Sequence, residues 1–175
     1  QVTIQMLNTV MVALDTEAAH CGVRKLKTIG DAYVACCNIP DPQLDHPVRI
    51  LHFAHRTHIC MMRISGRFSA AWGELVMRIG VHTGPVCGAI VGRNSHLYDL
   101  YGPAPIIAAA LQERAGIGET LASRSTITEA KACAALEPSG GAVVVQNEGT
   151  LPIESLATTV GYSSVSYATS SVTFS

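Results

Sequence analysis

Charge is scarce in this sequence. Asp, Glu, Lys and Arg make up 14% of its 175 residues, and the formal net charge is -1. Because nucleic-acid-binding proteins carry a basic patch, we expect no nucleic-acid partner. No apolar run reaches the roughly 20 residues that a membrane span needs, and no basic stretch followed by an apolar one opens the chain. We therefore expect no membrane contact from this segment itself.

The cysteines lack a regular spacing. The six cysteines form no C-x-x-C pair and have no regular spacing; they are Cys21, Cys36, Cys37, Cys60, Cys87 and Cys133. Their scatter argues against a zinc ribbon and against a disulfide framework. A reducing compartment fits best, so we predict a cytoplasmic domain, whose parent protein can still be membrane-associated through other segments.

Three histidines at a spacing of three residues raise the possibility of a metal site. On a helix they would lie near one face, as some metal sites require. They are His52, His55 and His58. The apolar residues around them have the spacing of a core stripe; these are Phe53, Ala54, Ile59 and Met62. We favour the core stripe, which leaves the histidines as flanking or solvated groups.

Apolar residues are abundant, at 48% of the chain. Such a share with so few charges is high for a monomer, which predicts that a partner covers part of the surface. A dimer is the simplest partner.

The hydrophobic pattern predicts alternating helices and strands. The helices are predicted at Val2 to His20, Leu44 to Ile64, Ile106 to Arg114 and from Thr126 onward. The strands are predicted at Val23 to Ile29, Ala32 to Asn38, Leu75 to His82, Val86 to Val91, Leu97 to Tyr101, Thr120 to Ser123 and Ala142 to Gln146. Ser65 to Gly73 is expected to be a loop. Residues 1–157 form the predicted domain, and the Ser/Thr/Val-rich tail 158–175 suits an edge strand, a linker or an extension equally well.

Two strings carry a resemblance to a known family. Lys27-Thr28-Ile29-Gly30-Asp31-Ala32-Tyr33 and Arg78-Ile79-Gly80-Val81-His82-Thr83-Gly84-Pro85-Val86 resemble class III nucleotidyl cyclases, which convert ATP or GTP to a 3′,5′-cyclic nucleotide. The resemblance implies an α+β, ferredoxin-like core with a mixed or antiparallel sheet and helices packed on it. The family opens with a strand bearing a metal-binding aspartate. No such string precedes Gln1, so we expect an N-terminally incomplete core: either the chain is a fragment of a longer protein or that first strand is missing.

The resemblance assigns roles to three residues. Asp31 matches the second metal-binding aspartate, in a turn that suits Mg²⁺ or Mn²⁺ in a two-metal site; the alternative is a turn residue without a ligand role. Lys27 and Asp99 match the pair that reads adenine, where guanine-selective relatives carry Glu and Cys. ATP is therefore the expected nucleotide.

At other positions, the chain lacks the polar and charged residues that active members of the family carry. An active half carries Asn and Arg seven and eleven residues after the adenine-reading Asp, and here those positions hold Ile106 and Ala110. A late hairpin that normally supplies a phosphate-binding Lys best matches Val145 to Gly149, with Gln146 and Glu148 in the lysine places. Pro103 and Pro105 are expected to alter the entry to the helix.

The expected function is therefore that of a degenerate adenylyl cyclase half, inactive in isolation. Family sites form between two subunits, so a heterodimer with a more complete partner is favoured over a homodimer. One alternative is a noncatalytic cyclase-homology domain that serves dimerisation, scaffolding or ATP sensing. Another is an α+β binding domain of unknown ligand.

Overall fold

Helices and strands alternate along the chain in the computed structural model, which describes residues 2–72, 74–92, 97–134 and 163–174. Within these residues the order is α1 (Val2–Cys21), β1 (Arg24–Ile29), β2 (Ala32–Cys37), α2 (His46–Trp72), β3 (Leu75–Val91), β4 (Leu97–Tyr101), α3 (Pro103–Arg114), β5 (Thr120–Ala122), α4 (Arg124–Ala134) and β6 (Ser163–Phe174). The predicted strand at Ala142 to Gln146 lies outside the described residues.

The first helix forms because its apolar residues recur at helical spacing. Val10, Leu14 and Ala18 are buried along one stripe of α1. The helix ends at Gly22, which adopts a φ of 65°, and the Val23 amide donates a hydrogen bond back to the Ala18 carbonyl at 2.9 Å. This is the left-handed glycine cap that often terminates helices, and it turns the chain directly into β1.

Strand β2 is buried on both faces of the sheet. Tyr33, Ala35 and Cys37 belong to the main core together with apolar residues of α1 and α2. The alternate residues Val34 and Cys36 pack in a second cluster with residues of β3, β4 and α3. Because successive strand residues face opposite sides, α1 and α2 cover one face of β2 and α3 covers the other.

The sheet has the order β1-β2-β6-β3-β4, and β5 pairs with β3 off this path. The pairs along the path are antiparallel, whereas β5 runs parallel to β3. The predicted α+β class, with helices packed on a mixed sheet, is confirmed. Among the described residues, no helix combines the length and the apolar character needed to cross a membrane.

The C-terminal tail contains an internal strand. Within the tail, the described residues Ser163–Phe174 form a strand, but inside the sheet rather than at its edge: Ala168 pairs with Ala35 of β2 on one side and with Val81 of β3 on the other. The rest of the predicted tail lies outside the described residues. Local composition did not indicate this position because the preference for an edge or a central strand depends on the neighbouring strands, which a single segment does not reveal. Pairing with the neighbours decides it.

Two predicted boundaries are wrong. The expected loop at Ser65 to Gly73 is largely helix, since α2 continues to Trp72. The expected break at Gly84-Pro85 does not occur, and β3 is one strand from Leu75 to Val91. Residues 84 and 85 keep strand geometry because β6 pairs across them, with Val165 and Ser164 opposite.

Helix α4 is tied to β3 through hydroxyl groups. The oxygen of Ser123, just before α4, lies 2.8 Å from Nδ1 of His82 and 3.0 Å from the hydroxyl of Thr126. Ser125 donates a hydrogen bond to the Thr83 carbonyl at 2.8 Å. Burial lowers the pKa of His82 to about 4, so the imidazole is neutral at pH 7 and can share a proton with Ser123.

Helix α3 crosses β3 at its closest point over Gly80. A β-carbon there would lie 2.1 Å from the Ala108 carbonyl oxygen and 2.4 Å from the Gln112 amide nitrogen. Only a residue without a side chain permits this approach. Gly80 therefore sets the distance between α3 and the sheet.

We predict that Gly80→Ala lowers the free energy of unfolding by about 1–3 kcal/mol, the usual cost of overpacking, because backbone atoms of α3 must move. Gly66→Ala is the matched control: Gly66 is exposed on α2 with nothing within 4 Å of the added carbon, and alanine there gains up to about 1 kcal/mol. Urea denaturation measures both. Equal stability of the two variants would contradict the close approach.

The His82 environment predicts acid sensitivity. A pKa lowered from 6.5 to about 4 means that the folded state disfavours the protonated ring. The contribution of the neutral His82 ring to the free energy of unfolding is therefore complete above about pH 6.5, and it is lost as the pH falls toward 4. Burial also lowers the pKa values of His46 and His58. Both histidines remain in the His82→Asn variant, so they affect it and the unchanged chain alike.

We expect His82→Asn, which keeps an acceptor near Ser123, to flatten the dependence of the free energy of unfolding on pH between 6.5 and 4.5. Urea titrations of parent and variant at several pH values measure the difference. Parallel profiles would show that His82 does not supply the acid sensitivity.

Candidate functional site: a charged pair beside the β1–β2 turn

Lys27 and Asp99, predicted from separate parts of the sequence, are in direct contact. The Lys27 ammonium group forms an ion pair with Oδ2 of Asp99. The other carboxylate oxygen of Asp99 accepts a hydrogen bond from the Leu100 amide at 2.9 Å, which fixes its orientation. The side chains remain 35% and 21% exposed, so a solute can reach the pair.

The contact requires an explanation because β1 and β4 stand at opposite ends of the strand order. Strand β3 pairs with β5 through residues 79–81 and with β4 through residues 87–91. Leu100 of β4 packs in the same cluster as Leu26 of β1. The residues that adjoin Lys27 and Asp99 in sequence therefore pack in one hydrophobic cluster, which helps to hold the two strands near each other.

A β-bulge on β1 also helps to position Lys27. The pairing between β1 and β2 shifts between Lys25 and Lys27, whose partners are Ala35 and Val34. A bulge redirects the side chains that follow it and increases the local twist. A sequence pattern of period two would not reveal this shift.

Asp31 lies at the tip of the β1–β2 hairpin. Ile29 pairs with Ala32, which leaves Gly30 and Asp31 as a two-residue turn, and Gly30 adopts a φ of 60°. Asp31 is exposed. Its carboxylate is therefore available to a ligand approaching the turn.

The residues described around Asp31 do not by themselves suit a two-metal site. Across residues 2–72, 74–92, 97–134 and 163–174, no group of three His, Cys, Asp or Glu side chains is placed to hold a metal ion. Ser171 of β6 pairs with Ala32 next to the turn, and β6 contains no Asp or Glu. Further carboxylates for Mg²⁺ or Mn²⁺ would have to come from elsewhere.

The three histidines on α2 do not gather into a metal site either. His52 and His55 are exposed, and Nε2 of His58 lies 2.8 Å from the hydroxyl of Thr120. Phe53 and Ala54 are buried as predicted. The prediction that Met62 belongs to the core stripe is wrong, because Met62 is 67% exposed and its neighbour Met61 is buried instead.

Helix α3 presents the two positions where the family carries Asn and Arg. Ile106 is 68% exposed and Ala110 is half-buried, one helical turn apart. Neither side chain can donate a hydrogen bond. The helix begins at Pro103 rather than at Ile106, because prolines in the first turn remove only amides that have no partner within the helix.

The hairpin at Val145 to Gly149, where a phosphate-binding Lys was sought, lies outside the described residues. Its sequence nevertheless holds Gln and Glu in the lysine places. The loss of lysine there remains a prediction from the sequence.

A group of exposed apolar side chains surrounds the end of β3, β4 and the start of α3. We call it the arm surface; its members are Ile90, Val91, Tyr98, Tyr101 and Ile106. Sequence analysis predicted that some surface would need a partner but did not locate it. The sequence Leu97-Tyr98-Asp99-Leu100-Tyr101 is rich in apolar residues, but it has no strict alternation that would tell exposed from buried positions. Contiguous exposed apolar patches mark interaction surfaces, and these side chains are the candidates for such a patch among the described residues.

Comparison with known proteins identifies what the chain resembles. The family described as Adenylate and Guanylate cyclase catalytic domain matches residues 1–154. An adenylate cyclase of Mycobacterium tuberculosis is 27% identical over 117 residues, which cover 66% of this chain and 26% of that protein. A rat guanylate cyclase soluble subunit beta-2 is 35% identical over 102 residues, which cover 57% of this chain and 14% of that protein. The chain thus spans a minor part of each.

A solved structure shows the same fold. The guanylate cyclase domain of RhGC from Catenaria anguillulae, in complex with GTP, superimposes with a TM-score of 0.72 at 24% identity, covering 98% of this chain and 84% of that chain. The expected fold resemblance is confirmed.

We predict that Asp31→Ala changes the free energy of unfolding by less than about 0.5 kcal/mol, as for an exposed residue without a structural role. Gly30→Ala is the control, because a side chain at its left-handed φ costs about 1–2 kcal/mol. Urea denaturation of both variants separates the two roles. A loss for Asp31→Ala as large as for Gly30→Ala would assign Asp31 to turn formation.

Proposed function

Since the chain belongs to the adenylate and guanylate cyclase catalytic domain family, we propose that it is an adenylyl-type half of a cyclase dimer. The reaction is conversion of ATP to 3′,5′-cyclic AMP and pyrophosphate, in a site that a more complete partner finishes. The observation that carries this proposal is the ion pair between Lys27 and Asp99.

The pair has the polarity that adenine requires. Adenine offers an acceptor nitrogen next to an exocyclic amine, so the Lys27 ammonium can donate to the ring and the Asp99 carboxylate can accept from the amine. Guanine presents a ring N–H and a carbonyl oxygen at the same edge. With guanine, the carboxylate would face the carbonyl and the ammonium would face the N–H, which leaves buried polar groups without partners.

Transition-state stabilisation is the part that this chain does not offer. When the ribose 3′-oxygen attacks the α-phosphorus, negative charge develops on the phosphate oxygens, and cyclases meet it with donors and cations. Ile106 and Ala110 supply neither. Losing one such donor costs about 10²–10³ in rate, so a site built from this chain alone would be severely impaired.

Asp31 is proposed as a metal ligand lent to a shared site. Mg²⁺ or Mn²⁺ would supply activation of the 3′-hydroxyl and neutralisation of the phosphates. One carboxylate does not hold two metals, and the described residues offer no complete ligand set. The metal role therefore depends on ligands from beyond these residues.

The arm surface supports a dimeric assembly. It places exposed Tyr98 and Tyr101 on β4, the strand that also bears Asp99. A partner docked there would lie next to the nucleotide-reading pair. A second copy would repeat the losses at Ile106 and Ala110, which favours a different cyclase chain as the partner.

The experiment that tests the proposal mixes this chain with a cyclase half that keeps the Asn, Arg and Lys but lacks metal aspartates. The chain is extended upstream of Gln1 with the residues of its parent protein, so that any further carboxylate is included. We expect the mixture to form cyclic AMP and Asp31→Ala to abolish it. A heterodimer, verified by ultracentrifugation, that is inactive or indifferent to Asp31→Ala would refute the metal-lending role.

The second candidate is a noncatalytic cyclase-homology domain that dimerises, scaffolds or senses ATP. The observation that favours it is that β6, adjacent to the Asp31 hairpin, contains no carboxylate. In this function the Lys27 and Asp99 pair would bind ATP without turnover. The same mixing experiment separates the two candidates.

We predict that the chain binds ATP analogues more tightly than GTP analogues. Lys27→Glu combined with Asp99→Cys, which installs the residues typical of guanine-selective relatives, should reduce this preference at least tenfold, about 1.4 kcal/mol. Calorimetry with non-hydrolysable analogues measures both proteins, and Lys131→Gln, distant in sequence, controls for the same net loss of one positive charge. Equal or tighter GTP binding by the unchanged chain would refute the assignment.

A further inference from the structure

A cavity of about 270 Å³ opens at the end of the β1–β2 hairpin that is opposite to the Asp31 turn. Residues from the start of β1, from the end of β2 and from the loop that follows β2 line this cavity; they include Arg24, Cys36, Ile39, Pro40, Asp41 and Gln43. Its lining includes neither Lys27 nor Asp99. The cavity is therefore separate from the candidate site described above.

Hydrogen bonds hold the loop wall of the cavity in place. The side-chain oxygen of Gln43 accepts a hydrogen bond from the Asn38 amide at 3.0 Å, and its side-chain nitrogen donates one to the Gly22 carbonyl at 3.0 Å. The Gln43 amide in turn donates to the side-chain oxygen of Asn38 at 2.5 Å. These bonds tie the loop to the junction between α1 and β1. The cavity thus exists before a ligand enters, which lowers the cost of binding.

Arg24 and Asp41 bring opposite charges to the cavity, and both residues are exposed. Among the described residues, neither side chain forms an ion pair or a hydrogen bond. The nearest charged residues along the chain are paired; these are Lys25 with Asp15, Lys27 with Asp99, and Asp45 with Arg49. The cavity therefore offers a solute one cation and one carboxylate that this part of the chain does not neutralise.

Cys36 does not act as the counter-ion of Arg24. The two residues are paired across β1 and β2, so their side chains lie on one face of the hairpin. Cys36 is fully buried, and burial raises the pKa of its thiol to about 11, which keeps the thiol neutral at pH 7. With Ile39 and Pro40, it gives the cavity an uncharged surface beside the two charged groups.

We propose that this cavity binds a small zwitterion, namely a free α-amino acid. Arg24 holds the carboxylate through two parallel N–H···O bonds, and Asp41 accepts hydrogen bonds from the ammonium group. A simple anion would leave Asp41 without a partner, and a simple cation would leave Arg24 without one, whereas a zwitterion satisfies both. The cavity is just smaller than pockets for drug-sized ligands, which span about 300–1,000 Å³, so it suits a molecule of this size. The inference rests on this cavity and not on the proposed cyclase function.

Ligand-observed NMR tests the proposal on the full chain with a mixture of the standard L-amino acids, each at roughly millimolar concentration. We expect saturation transfer to at least one of them, and calorimetry then gives its dissociation constant. Arg24→Gln and Asp41→Asn should each raise that constant at least about tenfold, because each removes a charged hydrogen-bonding partner. Arg63→Gln and Glu113→Gln are the matched controls, since both residues are exposed and lie outside the cavity.

Two analogues of the bound amino acid separate a zwitterion site from a site for one charge. The deaminated analogue keeps only the carboxylate and the amide keeps only the ammonium group, so we expect each to bind at least about tenfold more weakly. Unchanged affinity for the deaminated analogue would overturn the proposal in favour of a plain anion site. Absence of saturation transfer with the folded, unchanged chain would also overturn it, as would equal affinities of Arg24→Gln and Arg63→Gln. Circular dichroism verifies that each variant is folded.

Discussion

The arrangement of the molecule depends on the continuity of strand β3. It runs unbroken from Leu75 to Val91 and pairs with β6 on one side and with β5 and then β4 on the other. Gly80 admits α3 at closest approach, and His82 is linked to the start of α4. The C-terminal end of β3 pairs with β4, which bears Asp99, and Asp99 in turn forms the ion pair with Lys27. A break at Gly84-Pro85 would therefore separate the two halves of the candidate site.

Sequence patterns predicted most elements because local features dominated there. The α1 stripe, the Gly30-Asp31 turn and the prolines before α3 each had a local physical signal. Two features were decided by partners distant in sequence. β3 passes through Gly84-Pro85 because β6 pairs across it, and β6 is central because it pairs with both β2 and β3. Periodicity in a single segment contains no information about such pairings.

The candidate site shows the same division. The roles proposed for Lys27 and Asp99 came from family strings, and the structure adds that the two side chains form an ion pair. The arm surface could not be located before the sheet was known, because Tyr98 and Leu100 lie on the same face of β4 and only the neighbouring elements decide that Leu100 is buried and Tyr98 is exposed. The metal site depends on carboxylates that the described residues do not bring together. In the proposed function, the chain contributes the base-reading pair and one exposed carboxylate, whereas Ile106 and Ala110 of α3 offer no charge stabilisation.

The central claim is that this chain cannot complete a cyclase site by itself. The most direct measurement is cyclic AMP formation by the purified chain alone, with ATP and either Mg²⁺ or Mn²⁺, beside a complete family member under identical conditions. With Ile106 and Ala110 where the Asn and Arg would act, we predict a rate at background. A rate comparable to that of the complete enzyme would contradict the account.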